Sequence, residues 1–344
     1  MTNQRNFNQL ITANNMKEED IRKREVFNQY LKLVEKDVQK MFADKKQFAS
    51  IDCPACGRRD FKFQFEKMGF QYVLCQNCQT LFVDPRPPLQ KLMDFYTGAP
   101  SSVFWVERFF KPVVEARRQK IFQPRAELIR DILPQFSQGI IGDIGAGFGI
   151  FLEELSKFWP KAKLVAIEPS PEMAEICRAK ELEVIPQMAE SVRGWEGKFD
   201  FLSAFELFEH LYNPGEFLEK VWSLLRPGGY FFLTTLNGQG FDIQVLWEKS
   251  KSVFPPHHLN FFNPDSIGLL LKSKGFAVRE ISTPGKLDWD IIEGMYKTEG
   301  VNPGRFWKLI ADKADSQVKN KLQAWISENN FSSHMRILCQ KQAL

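Results

Sequence analysis

Residues 139–283 predict an α/β fold on a mainly parallel sheet, and three observations carry that expectation. Short apolar runs alternate with helical stretches of about ten residues, the pattern of strand–helix–strand crossovers. A glycine-rich stretch, Asp143-Ile144-Gly145-Ala146-Gly147-Phe148-Gly149, joins the first run to the helix after it. An acid, Glu168, closes the second run nineteen residues beyond Gly149.

The elements follow in order. Residues 1–15 are rich in Asn and Gln and are expected to fray. From Lys17 to Lys46 there is neither Pro nor Gly, and Phe27, Leu31, Val34, Val38 and Met41 mark one apolar helical stripe. That stripe packs on its own protein or pairs two copies into a homodimer. Phe61–Phe65 and Phe70–Leu74 alternate apolar and polar residues as strands do. Asp84-Pro85-Arg86-Pro87-Pro88 marks a boundary, and 89–137 read as an aromatic-rich helical connector or cap. In the core, Gly139–Ile144, Leu164–Glu168, Phe199–Phe205, Tyr230–Thr235 and Phe276–Ser282 are expected strands. Phe151–Phe158, Pro171–Lys180, Pro214–Leu225 and Ser266–Lys274 are expected helices, with a turn at Arg226–Gly229. The division is then a helical arm 1–46, a ribbon 47–88, the connector 89–137, a core 138–289, a helical insertion 290–330 and a final strand in 331–344.

Composition narrows the function without naming one. The 344 residues hold 46 Lys+Arg against 42 Asp+Glu, a net charge of +4, and 44% apolar residues, which excludes a wholly disordered chain. No apolar run approaches the ~20 residues of a membrane span. The first twenty residues lack the apolar core of a signal peptide, so a cytoplasmic location is expected.

Glycines in the 143–149 loop let the backbone turn sharply and approach a ligand, while an acid at the next strand tip accepts hydrogen bonds from both ribose hydroxyls. A nicotinamide or flavin fingerprint would need a third glycine at position 150, which is Ile. Together with Phe199-Asp200 to Glu209-His210 and Leu225-Arg226-Pro227-Gly228-Gly229, these residues resemble the class I S-adenosylmethionine-dependent methyltransferases. The resemblance implies a Rossmann-like sheet of seven strands, the last antiparallel, with residues 290–330 inserted between strands six and seven. It implies that Asp143, Gly145, Ala146, Gly147 and Gly149 face the methionine part of the cofactor and that Glu168 faces its ribose. Ala189 and Glu190 would lie beside the adenine, and Phe205 and Glu206 would border the transferable methyl. The cofactor would leave as S-adenosylhomocysteine.

Cys53-x-x-Cys56, eighteen residues, then Cys75-x-x-Cys78 fits a four-thiolate zinc site. Four protein ligands leave no open position on a tetrahedral ion, so the expected role is structural. Disulfides are disfavoured in a chain with no export signal. Residues 51–86 hold five basic and four acidic side chains, and the thiolates with their ion make the module about −1 overall. Nucleic acid is therefore not an expected partner; a lid or substrate-flanking role fits better. Cys177 and Cys339 read as buried fillers.

Among four histidines, His210 follows Glu209 just beyond the fourth core strand. His257 and His258 sit in Phe254-Pro255-Pro256-His257-His258-Leu259-Asn260-Phe261-Phe262, a stiff polar loop suited to a general base. His334 is the remaining one. The whole plan resembles bacterial zinc-containing methyltransferases of nucleotide-linked deoxysugars. There a Glu-His pair precedes the Phe-rich segment, and its His is taken as the base. That resemblance places the base at His258, with His257 in the Glu position and Pro255 in that of a preceding tyrosine, leaving carbon, oxygen and nitrogen acceptors open. Trp289, Tyr296, Phe306 and Trp307 are either pocket aromatics or core. The expected activity is methyl transfer to a small, sugar-like acceptor, with no membrane involvement. The alternatives are a zinc-ribbon RNA methyltransferase, with Arg117-Arg118-Gln119-Lys120 and Arg22-Lys23-Arg24 as its basic segments, and a cofactor-binding scaffold without turnover.

Overall fold

The computed structural model describes residues 17–342, so the stretch 1–15 lies outside the described residues. Strands in chain order are β1 (Phe61–Lys67), β2 (Phe70–Cys75), β3 (Leu81–Val83), β4 (Ile140–Ile144), β5 (Lys163–Ile167), β6 (Glu183–Ile185), β7 (Phe199–Phe205), β8 (Leu225–Leu236), β9 (Asn260–Phe261), β10 (Phe276–Ser282) and β11 (His334–Lys341). Two compact units result. One contains the chain up to Glu115 with Leu236–Ser266 and Ser282–Met335; the other contains Ala116–Thr235, Ile267–Ile281 and the chain from Arg336. This partition differs from the linear one, in which 138–289 formed a single core. The reason is strand pairing: β9 joins the sheet of the ribbon, and it carries its flanking segments with it.

The second unit is built on a seven-stranded sheet in the order β10-β11-β8-β7-β4-β5-β6, mixed in direction, with the last strands antiparallel. β4 lies parallel to both β5 and β7, and β7 is parallel to β8. Such strands are covered on both faces and read as continuous apolar runs; Ile141, Val165, Phe201, Leu202, Phe231 and Phe232 are all fully buried. Side-chain caps start two of the covering helices. Ser170 Oγ accepts from Met173 N ahead of Pro171–Arg178, and Asn213 Oδ1 accepts from Glu216 N ahead of Pro214–Leu224. The expected turn at Arg226–Gly229 lies inside β8, where it forms a bulge. Phe199 faces Leu225 and Phe201 faces Tyr230, so the residues between are looped out of register. Gly229 permits this, because a Cβ there would meet three carbonyl oxygens at 3.0–3.2 Å.

The first unit begins with a helix broken in two, Glu18–Ile21 and Arg24–Met41, where one continuous helix was expected. Buried Glu18 accepts from both Arg22 and Arg24 and ties the break together. On the longer helix Phe27, Tyr30, Val34 and Val38 are buried. Rings of the same unit cover them: Phe109 lies 5.4 Å from Phe27, and Trp105 and Phe254 lie 4.9 and 5.8 Å from Tyr30. Much of the stripe is thus covered by its own chain, while Leu31 and Met41 stay half-buried. The ribbon sheet runs β1-β2-β3-β9. Helices Asp288–Glu299, Arg305–Lys313 and Ser316–Glu328 occupy the insertion. Trp289 is buried there with Leu246, Ile292, Met295 and Ala311, while Tyr296 and Trp307 pack against that cluster. Trp289 is therefore a core residue, Tyr296 and Trp307 are half-buried against the core, and Phe306 is exposed.

Candidate active site

In open α/β sheets, ligands gather beyond the carboxyl ends of parallel strands. Asp143, Glu168, Ala189, Glu190, Phe205, Glu206 and His210 are all found at that edge, at or just past the ends of β4, β5, β6 and β7. Gly145, Gly147 and Gly149 have φ of 69°, 55° and 67°, a left-handed run that side chains resist. Gly145 N donates to Ile167 O at 2.8 Å, which binds the loop to β5. Gly147 N donates to Glu168 Oε2 at 2.8 Å, and Ser170 N donates to Oε1 at 2.9 Å. Each oxygen of Glu168 keeps a further lone pair for a hydroxyl donor. Burial raises its pKa, and these two amides oppose the rise. A Cβ at Gly147 would meet nothing within 4 Å, so the loop backbone offers an open face. Ala146 and Ala189 are buried small residues beside it in sequence and strand order.

Asp143 is buried at the end of β4 and accepts from Ser203 Oγ at 2.7 Å. Burial pushes its carboxyl up to about 7, against the pull of Ser203 and Arg125. At the end of β7, Glu206 takes φ of 50°, unusual for a side chain and common at functional sites. Arg125 Nη2 donates to Glu206 Oε1 at 2.9 Å, and Thr234 Oγ1 donates to the same oxygen at 2.6 Å. The Arg125 guanidinium also lies 4.6 Å over the Phe205 ring. Glu209, accepting from Thr235 Oγ1 at 2.8 Å, is pushed up to about 8 by burial and by Glu206. His210 ends the short turn Phe208–His210 next to it. Arg125 and Thr234 were not legible in the sequence: Arg125 lay in the connector, nineteen residues before the loop aspartate's strand was complete, with no motif around it.

His257 and His258 belong to the other unit. The His257 ring stacks on Phe254 at 5.3 Å and lies 5.1 Å from Phe95, and its Nε2 is 2.9 Å from Tyr30 Oη. Aromatic rings thus surround this imidazole, and a tyrosine hydroxyl meets its Nε2. His258 differs. Its Nδ1 lies 2.5 Å from Ser252 O, and a carbonyl can only accept, so Nδ1 carries the proton and the basic lone pair is on Nε2. The tyrosines at 30, 72 and 96 brace this loop, Tyr72 Oη donating to His258 O at 2.8 Å and Tyr96 Oη to Pro256 O at 3.3 Å.

The four ribbon cysteines bring their sulfurs within 4.8 Å of one another. Cys53 and Cys78 are 3.5 Å apart and Cys56 and Cys75 are 3.6 Å apart, too far for ~2.05 Å disulfides. Tetrahedral Zn–S bonds of ~2.3 Å separate sulfurs by ~3.8 Å, so the set fits a zinc ion, which all four thiolates would hold with no position left open. Cys177 and Cys339 are buried elsewhere; Cys177 Sγ donates to Gly147 O at 3.3 Å.

Sheet order, glycine loop and strand-tip acid are consistent with the Rossmann-like fold of class I methyltransferases. In agreement, residues 114–281 match the sequence model of a family described as "Methyltransferase domain". Curated relatives include the ubiquinone biosynthesis O-methyltransferase of Xanthomonas euvesicatoria pv. vesicatoria, 28% identical over 153 residues, or 41% of this chain and 63% of the relative. The enzyme of the same name from Xanthomonas campestris pv. campestris shows the same identity and coverage. The chain thus spans less than two thirds of the length of these relatives. Among solved structures, a possible histamine N-methyltransferase from Thermotoga maritima aligns with a TM-score of 0.43 at 18% identity, over 65% of this chain and 91% of that one. A methyltransferase from Archaeoglobus fulgidus aligns with a TM-score of 0.44 at 18% identity, over 67% and 98%.

Proposed function

We propose that the protein transfers a methyl group from S-adenosylmethionine to a small-molecule acceptor, with His258 receiving the acceptor's proton. The single observation behind this reading is the strand-tip carboxylate of Glu168 bonded to the amide of Gly147 in a loop of three left-handed glycines. That arrangement suits a nucleoside: Glu168 takes the ribose hydroxyls, the Gly145–Gly149 backbone lies along the amino-acid chain, and Ala189 and Glu190 flank the base. When bound, the sulfonium supplies an electrophilic methyl with a neutral thioether as leaving group. The protein's task is alignment, exclusion of water and removal of a proton. As the acceptor atom takes the methyl, its proton moves to Nε2 of His258; Ser252 O supports the charge that forms on the ring. Glu206, held by Arg125 and Thr234, orients the acceptor at the end of β7. His210 and His257 are assisting groups at most, His257 through Tyr30.

An oxygen acceptor suits the names of the Xanthomonas relatives, and a nucleotide-linked sugar is the acceptor class suggested by the ribbon, core and His-loop plan. A structural zinc in the Cys53, Cys56, Cys75 and Cys78 set completes this reading. A near-neutral ribbon weighs against the RNA-modifying alternative. Calorimetry with S-adenosylhomocysteine, followed by incubation of metabolite extract with methyl-labelled S-adenosylmethionine, tests it. Binding in the micromolar range and label in a small anionic metabolite are expected. No nucleoside binding would overturn the reading, and label in RNA alone would replace it with the alternative.

A further inference from the structure

Asn263 makes a connection that no motif announces. It is buried, and its Nδ2 donates to the carbonyls of Cys78 at 2.9 Å and Gln79 at 3.0 Å, in the second cysteine knuckle. Its Oδ1 accepts from Ser266 N at 2.8 Å, so the amide is held from both ends. Two residues earlier the chain is a strand of the ribbon sheet. Leu81 pairs with Phe261, Phe82 pairs with Asn260, and Val83 N donates to Leu259 O at 2.9 Å.

Arg86 adds a second tie. It is fully buried, and its guanidinium donates to Val83 O at 3.1 Å, to Asn260 Oδ1 at 2.5 Å and to Leu259 O at 3.4 Å. A third tie comes from β2, where the Tyr72 hydroxyl donates to His258 O. From the end of β1, Lys67 Nζ donates to Ser250 O at 2.8 Å, two residues before the carbonyl that receives His258 Nδ1–H. Thus the backbone from His258 onward, and the segment that orients its ring, hang on three ribbon strands and one knuckle.

We infer that the four-cysteine ribbon is the anchor of the His258 loop, with Asn263, Arg86 and Tyr72 as positioning residues that hold the imidazole in its Nδ1-protonated form. Cys75 ends β2 and Cys78 lies three residues before β3, so an ion held by the four thiolates would fix these strands where they meet the loop. Loosening the knuckle frees β3, then β9, then the Ser252–His258 turn. The inference rests on the proposed role of His258 only for its kinetic consequence; the positional claim stands on the hydrogen bonds themselves.

With four histidines in the chain, a nitrogen-15 histidine spectrum of the full-length, zinc-loaded protein is simple enough to assign, His258 being the signal lost in His258→Ala. The unmodified protein is expected to show His258 as one tautomer, protonated on Nδ1. Tyr72→Phe and Asn263→Ala, each with its zinc content unchanged by mass spectrometry, should move His258 to a tautomer mixture and leave His334 unshifted. His258 nitrogen shifts unaltered in both variants would overturn the inference, as would an equal shift of every histidine. If Asn263→Ala does not fold, Tyr72→Phe decides, since it removes one oxygen only. Full turnover in His258→Ala, with His258 shifted as expected in Tyr72→Phe and Asn263→Ala, would remove the base and leave the anchor standing.

Discussion

Arg125 and Glu206 meet at 2.9 Å across the mouth of the sheet, a cation from the helix Gln123–Ile132 on a carboxylate from the end of β7. Arg125 is the positive partner for three acids, since its charge also opposes the rise in the carboxyls of Asp143 and Glu209. Removing it strands those carboxylates. Arg125→Ala should cost about 2 kcal/mol in chemical denaturation, below the ~3–5 kcal/mol of a fully buried pair because the Glu206 side chain is 37% exposed. Adding Glu206→Gln to Arg125→Ala should recover part of that loss. An additive double mutant would show that the pair is not coupled.

Two glycines of the loop should separate stability from binding. Gly147→Ala puts a methyl on an open face at φ of 55°, so the backbone penalty is ~1–2 kcal/mol. Affinity for S-adenosylhomocysteine should nevertheless fall at least about tenfold, an extra ~1.4 kcal/mol, because the methyl occupies the ligand's face. Gly149→Ala would meet Leu182 Cδ1 at 2.7 Å and Cys177 Sγ at 3.1 Å, and should lower the melting temperature more than Gly147→Ala does. Melts and calorimetry on the two variants check the contrast.

A buried acid pair should make the first unit lose stability as pH rises from about 4 to about 7. Asp242 accepts from Ser333 Oγ, while Asp288 accepts from Ser333 N at 2.7 Å, Ser332 Oγ at 2.8 Å and Gln323 Nε2 at 2.8 Å. Burial, then the charge of Asp288, pushes Asp242 up to about 7; the Ser333 hydroxyl and the Arg22 charge oppose this. The folded state therefore binds a proton that the unfolded chain has released, and stability is greatest below about pH 4 for this group. It falls as pH rises through 7 and then levels, by a total on the order of 4 kcal/mol at ~1.4 kcal/mol per unit. Asp242→Asn should flatten that slope in denaturation curves taken from pH 5 to 8. A slope identical to that of the unmodified protein would refute the assignment.

The cysteine set should bind one zinc per chain. Cys75→Ser, at a fully buried position, should lose the ion and expose β1–β3 to amide exchange. Zinc analysis with hydrogen exchange checks this, and metal-free protein with protected strands would contradict it.

Much of the glycine loop and its strand-tip acid was readable from residue order. Glycine at 145, 147 and 149 and the acid at 168 are local signals, because a left-handed turn and a strand tip are set within a few residues. The cysteine spacing was readable for the same reason. The histidine loop was only half readable. Phe261 and Phe262 looked like loop aromatics, yet Asn260–Phe261 is a strand, because its hydrogen-bonding partners lie far back at Leu81–Val83. Neither Arg125 nor Asn263 stood in any periodic pattern, and each works through a partner remote in sequence.

By itself, then, the order of residues determined most of the core strands and helices, where the glycine loop turns and which four sulfurs converge, since short-range backbone preference and hydrophobic period decide these. Tertiary structure alone decided that β9 belongs to the ribbon sheet, that aromatic rings surround His257 while His258 Nδ1 meets Ser252 O, and that Arg125 balances Glu206. Those outcomes depend on hydrogen bonds and charges meeting across long loops, which only the folded chain brings within reach.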